Sequence, residues 1–146
     1  YDMGELKVQA LGSNDAGVSF LVHYGGKTIF HAGDLNDWSW YVRKGEMHDE
    51  AYRRRMREEF RKELEPLLGV HMDAAFVVMD MRLEERYKNG IDYFLHTMDA
   101  DAVFPMHLWG RYDLIPQYKK KLILAGEPEL AKKVMDIREE NQIFEL

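Results

Sequence analysis

Three short apolar runs in this chain each stop at a side chain able to bind a metal ion. They are Lys27-Thr28-Ile29-Phe30-His31-Ala32-Gly33-Asp34, Ala74-Ala75-Phe76-Val77-Val78-Met79-Asp80 and Ala102-Val103-Phe104-Pro105-Met106-His107. Runs of this length, rich in β-branched and aromatic residues and bounded by turn formers, predict buried strands. A sheet that makes these strands neighbours gathers Asp34, Asp80 and His107 along one rim. That rim is where chemistry is expected.

The rest of the chain predicts what surrounds these strands. Leu6–Leu11 alternates apolar and polar residues, as a half-buried strand does, and 12–17 (Gly-Ser-Asn-Asp-Ala-Gly) is a turn-forming cluster. Val18–Tyr24 reads as a second strand, and Gly25-Gly26 turns tightly into the third, so the two pair antiparallel. Over Glu46–Leu68 the period changes: Met47, Ala51, Met56, Phe60 and Leu64 form an apolar helical stripe, and Gly69 fits its stop. Arg53-Arg54-Arg55 lies among Glu58, Glu59, Glu63 and Glu65, which reads as a solvated helix face rather than a nucleic-acid patch. A loop over Met81–Asn89 and a short helix over Gly90–Met98 follow. Helices are then expected over Asp113–Leu124 and Pro128–Arg138, with an edge strand at Ile143-Phe144. A hairpin followed by strand–helix alternation predicts a single α/β domain, a mixed sheet with helices packed on it.

Composition removes several function classes. There is no Cys, so disulfides, thiolate metal sites and a thiol nucleophile are excluded, and a cytoplasmic location is expected. The net charge of −6 argues against an extended nucleic-acid surface. No run approaches the roughly 18 apolar residues of a membrane span, and no signal peptide opens the chain. Gly-x-Ser-x-Gly, Walker, Gly-x-Gly-x-x-Gly and His-Glu-x-x-His motifs are all absent.

Each rim residue carries two readings. Gly33 lets the backbone turn and approach an ion, and Asp34 beside it could bridge cations; an Asx-turn or helix cap is the plainer role. His107 at a strand end is either a hydrogen-bonded structural residue or the imidazole partner of Asp34. His31 either points toward the core or orients a ligand from behind it. Asp80 and Arg82 form either a structural ion pair or, through the planar guanidinium fork, a substrate-side anion site. Asp15 places one more carboxylate before a strand, in what is by default a turn. Trp38, Trp40, Tyr41, Trp109 and Tyr112 follow the ligand candidates and either wall a pocket or pack the rim.

The run 12–22, then Lys27–Asp34, then Phe104-Pro105-Met106-His107, resembles in order the later motifs of the metallo-β-lactamase-like hydrolase superfamily, over roughly residues 6 to 116. The resemblance implies an αββα sandwich with a two-metal site at one sheet edge. Zinc is the expected metal, with manganese and iron as alternatives. Asp34 would be the bridging, catalytic ligand and His107 the last metal-binding His. Asp15 falls near a position where many members carry His, so it is a departure as well as a candidate metal ligand.

The family's His-x-His-x-Asp-His loop has no counterpart here: His23, His31, His48, His71, His96 and His107 are scattered. With Tyr1 opening almost directly into a strand, the chain reads as the second half of such a domain. An upstream segment, a partner chain or a homo-oligomer would then cover an open sheet; otherwise the chain is a derivative without the metal site. The implied activity is hydrolysis of an ester-like bond, phosphoester or lactone, in a small molecule by a metal-bound hydroxide. Asp80 and Arg82 would sit on the substrate side and His31 behind the ligands. Two supported ligands are too few for a tight two-metal site, so weak or no metal binding and no activity are expected of these 146 residues alone. The alternative is a non-catalytic α/β module for binding or assembly. A nuclease of the same superfamily is disfavoured by the acidic balance.

Overall fold

The computed structural model describes residues 2–40 and 50–145. The strands are β1 (Asp2–Met3), β2 (Leu6–Leu11), β3 (Ser19–Tyr24), β4 (Lys27–His31), β5 (His71–Val78) and β6 (Asp99–Met106). The helices are α1 (Glu50–Leu64), α2 (Asn89–Thr97), α3 (Leu114–Leu124) and α4 (Pro128–Lys133). The six strands form one sheet in chain order. The first four are joined antiparallel, whereas β4, β5 and β6 run parallel. Among the described residues, no helix is long and apolar enough to cross a membrane.

The chemistry of each connection accounts for this switch. Gly25 and Gly26 both have positive φ (56° and 78°), as a two-residue hairpin turn requires, so β3 and β4 must be antiparallel. Parallel neighbours need a long crossover, and α1 and α2 supply it. Met56, Phe60 and Leu64 on α1 and Ile91 and Phe94 on α2 are buried in the main core. The sheet row Leu21, Phe30, Ala75, Val103 joins the same core, and the Phe30 and Phe94 rings stack with centroids 5.7 Å apart. Residues on the opposite sheet face form two further rows: Val22, Ile29, Ala74, Ala102 and Phe20, His31, Phe76, Phe104. Over β5 and β6 this second face is covered by Met135, Ile137 and Phe144, but toward β3 Phe20 is 38% exposed.

The α/β class and the mixed sheet match the sequence reading, and three local features depart from it. The helix at Pro128 ends at Lys133, not Arg138, because the chain straightens against β6: Val134 bridges Val103, and the Met135 N–H donates to the Val103 carbonyl at 2.9 Å. Ile143-Phe144 forms no strand; the Phe144 ring instead packs edge-on against Phe104, with centroids 5.1 Å apart. The loop after β5 contains 3-10 turns over Met81–Arg86, broken at Glu84 (φ 53°, ψ −123°). The expected helix start at 46–49, with Tyr41, lies outside the described residues.

Candidate functional site

Because β4, β5 and β6 are adjacent and parallel, their carboxyl ends share one rim, the usual place for ligands in open α/β sheets. Asp34, Asp80 and His107 follow those ends and meet there. Gly33 makes the first turn possible: its φ is 58°, and a Cβ on it would lie 2.6 Å from the Val18 carbonyl oxygen. No side chain fits so close an approach, so Gly is required where the chain carries Asp34 out of the sheet. The Trp38 indole N–H then donates to the Asp34 carbonyl at 2.8 Å and holds the loop.

His107 stands between two carboxylates. Its Nε2 lies 3.2 Å from Asp34 Oδ1 at the cleft, and its Nδ1 lies 3.5 Å from Asp80 Oδ2 on the inner side. Nδ1 is buried, and at that distance it makes no well-formed hydrogen bond. The ring reaches this position from a left-handed backbone (φ 59°), and Trp109 two residues on has φ 52°. Positive φ at two bulky residues stores local strain, a common feature of functional loops.

Asp80 has no solvent exposure. Its Oδ1 accepts from the Arg82 backbone N–H (2.9 Å) and Nε (2.9 Å); its Oδ2 accepts from Arg82 Nη2 (2.5 Å) and the Trp109 indole (3.3 Å). Burial by itself raises this carboxyl's pKa, but the guanidinium, the Arg82 amide and the indole together outweigh it and hold Asp80 below the usual carboxylate range. The Arg82 guanidinium lies over the Trp109 ring at 4.8 Å and near Trp40 at 5.9 Å, and its own pKa is pushed up by the bond to Asp80. Both readings of this pair therefore have a footing. The ion pair is formed, and the half-exposed Arg82 also borders the open cleft.

The cleft measures about 660 Å³ and is lined by Asp15, Asp34, His107, Arg82, Trp38 and Trp109 among others. Asp15 reaches it because Asn14 ties the two loops together: its side-chain amide donates to the Asn36 carbonyl at 2.9 Å, and its Oδ1 accepts from the Asn36 N–H at 3.3 Å. Asp15 is exposed and does not complete a three-ligand group with Asp34 and His107. Asp80 lies behind His107, away from the cleft wall. His31 Nδ1 accepts from the Gly33 N–H at 3.1 Å while its ring stacks on Phe76. Burial, then the nearby His107 ring, lowers the His31 pKa, which favours the neutral imidazole. Glu140 also lines the cleft and was not legible in the sequence, since only the fold brings the C-terminal segment back past β6.

Imidazole and carboxylate form a common donor pair for a divalent cation. Two donors 3.2 Å apart also span close to what one ion takes in tetrahedral coordination at about 2.1 Å from each. The residues present therefore fit one cation with an incomplete shell. A second ion has no ligand set among the described residues at this rim.

At the opposite end of the sheet, the starts of β5 and β6 bring together His71, Asp73 and Asp101, with potential ligand atoms within 4.8 Å of one another. Sequence reasoning missed this group because its residues come together only through strand register. Asp73 is already engaged by Lys27 Nζ and the Thr28 N–H, both at 2.8 Å, and His71 Nδ1 by Asp99 at 3.0 Å. No family model matches the chain, and no curated protein or solved structure matches it significantly.

Proposed function

We propose that this chain carries the Asp34–His107 half of a metal-dependent hydrolase site, in the second half of a metallo-β-lactamase-like αββα domain. The observation that carries the reading is the meeting of His107 Nε2 and Asp34 Oδ1 at 3.2 Å on the floor of an open cleft at the parallel strand ends. Asp34 and His107 would hold a divalent cation, zinc foremost. Once bound, such an ion supplies Lewis acidity and lowers the pKa of water, as ester hydrolysis near neutrality needs. The protein's own contributions are separate. Trp38 and Trp109 wall the cleft, Arg82 presents positive charge to an anionic substrate group, and Asp15 adds a carboxylate at the mouth. The open sheet face beside Phe20 suits cover by a further layer, from an upstream segment, a partner chain or a second copy.

Zinc calorimetry on the 146-residue chain tests this. Weak binding, micromolar or weaker, that disappears in both Asp34→Ala and His107→Ala is the expected result. Nanomolar affinity would overturn the two-donor site, and no heat at millimolar zinc would overturn the metal reading. The second reading, a non-catalytic assembly module, is favoured by the same exposed sheet face. It gains if zinc is silent while the protein self-associates.

A further inference from the structure

We propose that Asp80 is a positioning residue for His107: its buried carboxylate fixes the imidazole as the Nδ1–H tautomer and turns the Nε2 lone pair toward Asp34 and the cleft. The presentation of Nε2 to the cleft rests on the proposed cation site, whereas the tautomer assignment stands on its own geometry.

One buried ring nitrogen at the rim lacks a hydrogen bond. His107 Nδ1 is buried, and the polar group facing it is Asp80 Oδ2 at 3.5 Å. A neutral imidazole carries its proton on one nitrogen and a lone pair on the other. Each nitrogen faces a carboxylate, Nε2 that of Asp34 at 3.2 Å and Nδ1 that of Asp80 at 3.5 Å. Asp34 is 43% exposed and screened by water, whereas Asp80 is fully buried, so the attraction for a proton is the stronger at Nδ1. The Asp80 carboxylate is ionised because Arg82 holds it by three nitrogens and Trp109 by a fourth. Those donors also lock its orientation, so the oxygen facing His107 cannot rotate away.

At the other nitrogen the consequence is electronic. With Nδ1 protonated, Nε2 is the basic atom, and it points at the cleft beside Asp34. Carboxylate–imidazole pairs of this kind set the tautomer and ring angle of metal-binding histidines, and losing the carboxylate typically costs roughly 10–100-fold in metal affinity. Asp80 therefore acts through His107 and does not contact substrate: its carboxylate lies behind the ring, fully removed from solvent.

The test is ¹⁵N NMR of the His107 ring at alkaline pH, with the ring neutral. In the wild-type protein the Nδ1–H tautomer is expected to dominate. In Asp80→Asn the neutral amide loses the charge that draws a proton to Nδ1, along with part of the Arg82 fork. Asp34 is left as the charged carboxylate of the two, so the ring should change to the Nε2–H tautomer. An even mixture or an Nε2–H ring in the wild type overturns the proposal, as does an unchanged tautomer in a folded Asp80→Asn. If Asp80→Asn does not fold, the wild-type spectrum still decides, and Trp109→Phe serves as the second variant. By removing a competing donor to Oδ2 it should leave Nδ1–H dominant, and loss of that tautomer overturns the proposal. Millimolar zinc is then added to the wild type. A shift at Nε2, weakened roughly 10–100-fold in Asp80→Asn, is the expected result. Zinc perturbing Nδ1 instead overturns the positioning role. Zinc perturbing neither nitrogen overturns the cation reading alone and leaves the tautomer result standing.

Discussion

Gly33 shows how a single residue decides the rim. Its positive φ and its approach to the Val18 carbonyl leave no room for a methyl group. Gly33→Ala is expected to destabilise the fold by about 1–3 kcal/mol, read as a lower urea midpoint, and to displace Asp34 as well. An unchanged midpoint would show that the turn can relax. Arg82 is the other decisive residue, because it keeps the buried Asp80 ionised. Arg82→Met leaves that carboxylate with the Trp109 indole as its remaining side-chain donor. A loss of about 1–3 kcal/mol is expected at pH 7, and the deficit should shrink in acid as Asp80 is protonated. A deficit that does not vary with pH would mean that packing, not charge, dominates.

At the scale of elements, α2 is tied down at two places. The buried Tyr118 hydroxyl on α3 donates to Asp92 Oδ1 at 2.5 Å, and His96 Nε2 meets Glu127 Oε1 at 3.0 Å ahead of α4. Tyr118→Phe should cost about 1–2 kcal/mol in urea unfolding, since Asp92 keeps Lys88 as a partner. His96 has a raised pKa, first through Glu127 and then through the Asp92 carbonyl. A raised folded-state pKa favours the folded protein while the imidazole is charged. The contribution is therefore complete below the unfolded value of about 6.5 and is lost as pH rises through the higher folded value. The urea-midpoint gap between wild type and His96→Gln should accordingly be widest below about pH 6.5 and close as pH rises above it. A gap that widens with pH would reverse this assignment.

The whole molecule is asymmetric across its sheet. One face is filled by α1 and α2, whereas the other is covered over β5 and β6 by the C-terminal segment and carries exposed Phe20 toward β3. The exposed Phe20 side of this face is a candidate contact surface. The purified chain is expected to bind an apolar dye and to self-associate, and Phe20→Ser should weaken both. Monodisperse monomers without dye binding would count against an open face.

Much of this was legible from local sequence because its causes are local. The Gly25-Gly26 turn, the Met56–Phe60–Leu64 stripe and the three apolar runs each declare their conformation within a few residues. The strand ends at Asp34, Asp80 and His107 could likewise be located one at a time. What local sequence could not contain was register and burial. Those place Asp80 behind His107 rather than on the cleft wall, return the chain after α4 along β6, and set His71 beside Asp101. Propensity and periodicity act between near neighbours along the chain, so sequence alone determined the strands, the turns and the residues that end them. Which atoms of those residues face one another, and which face water, depends on contacts between segments far apart in sequence, and only the tertiary structure decided that.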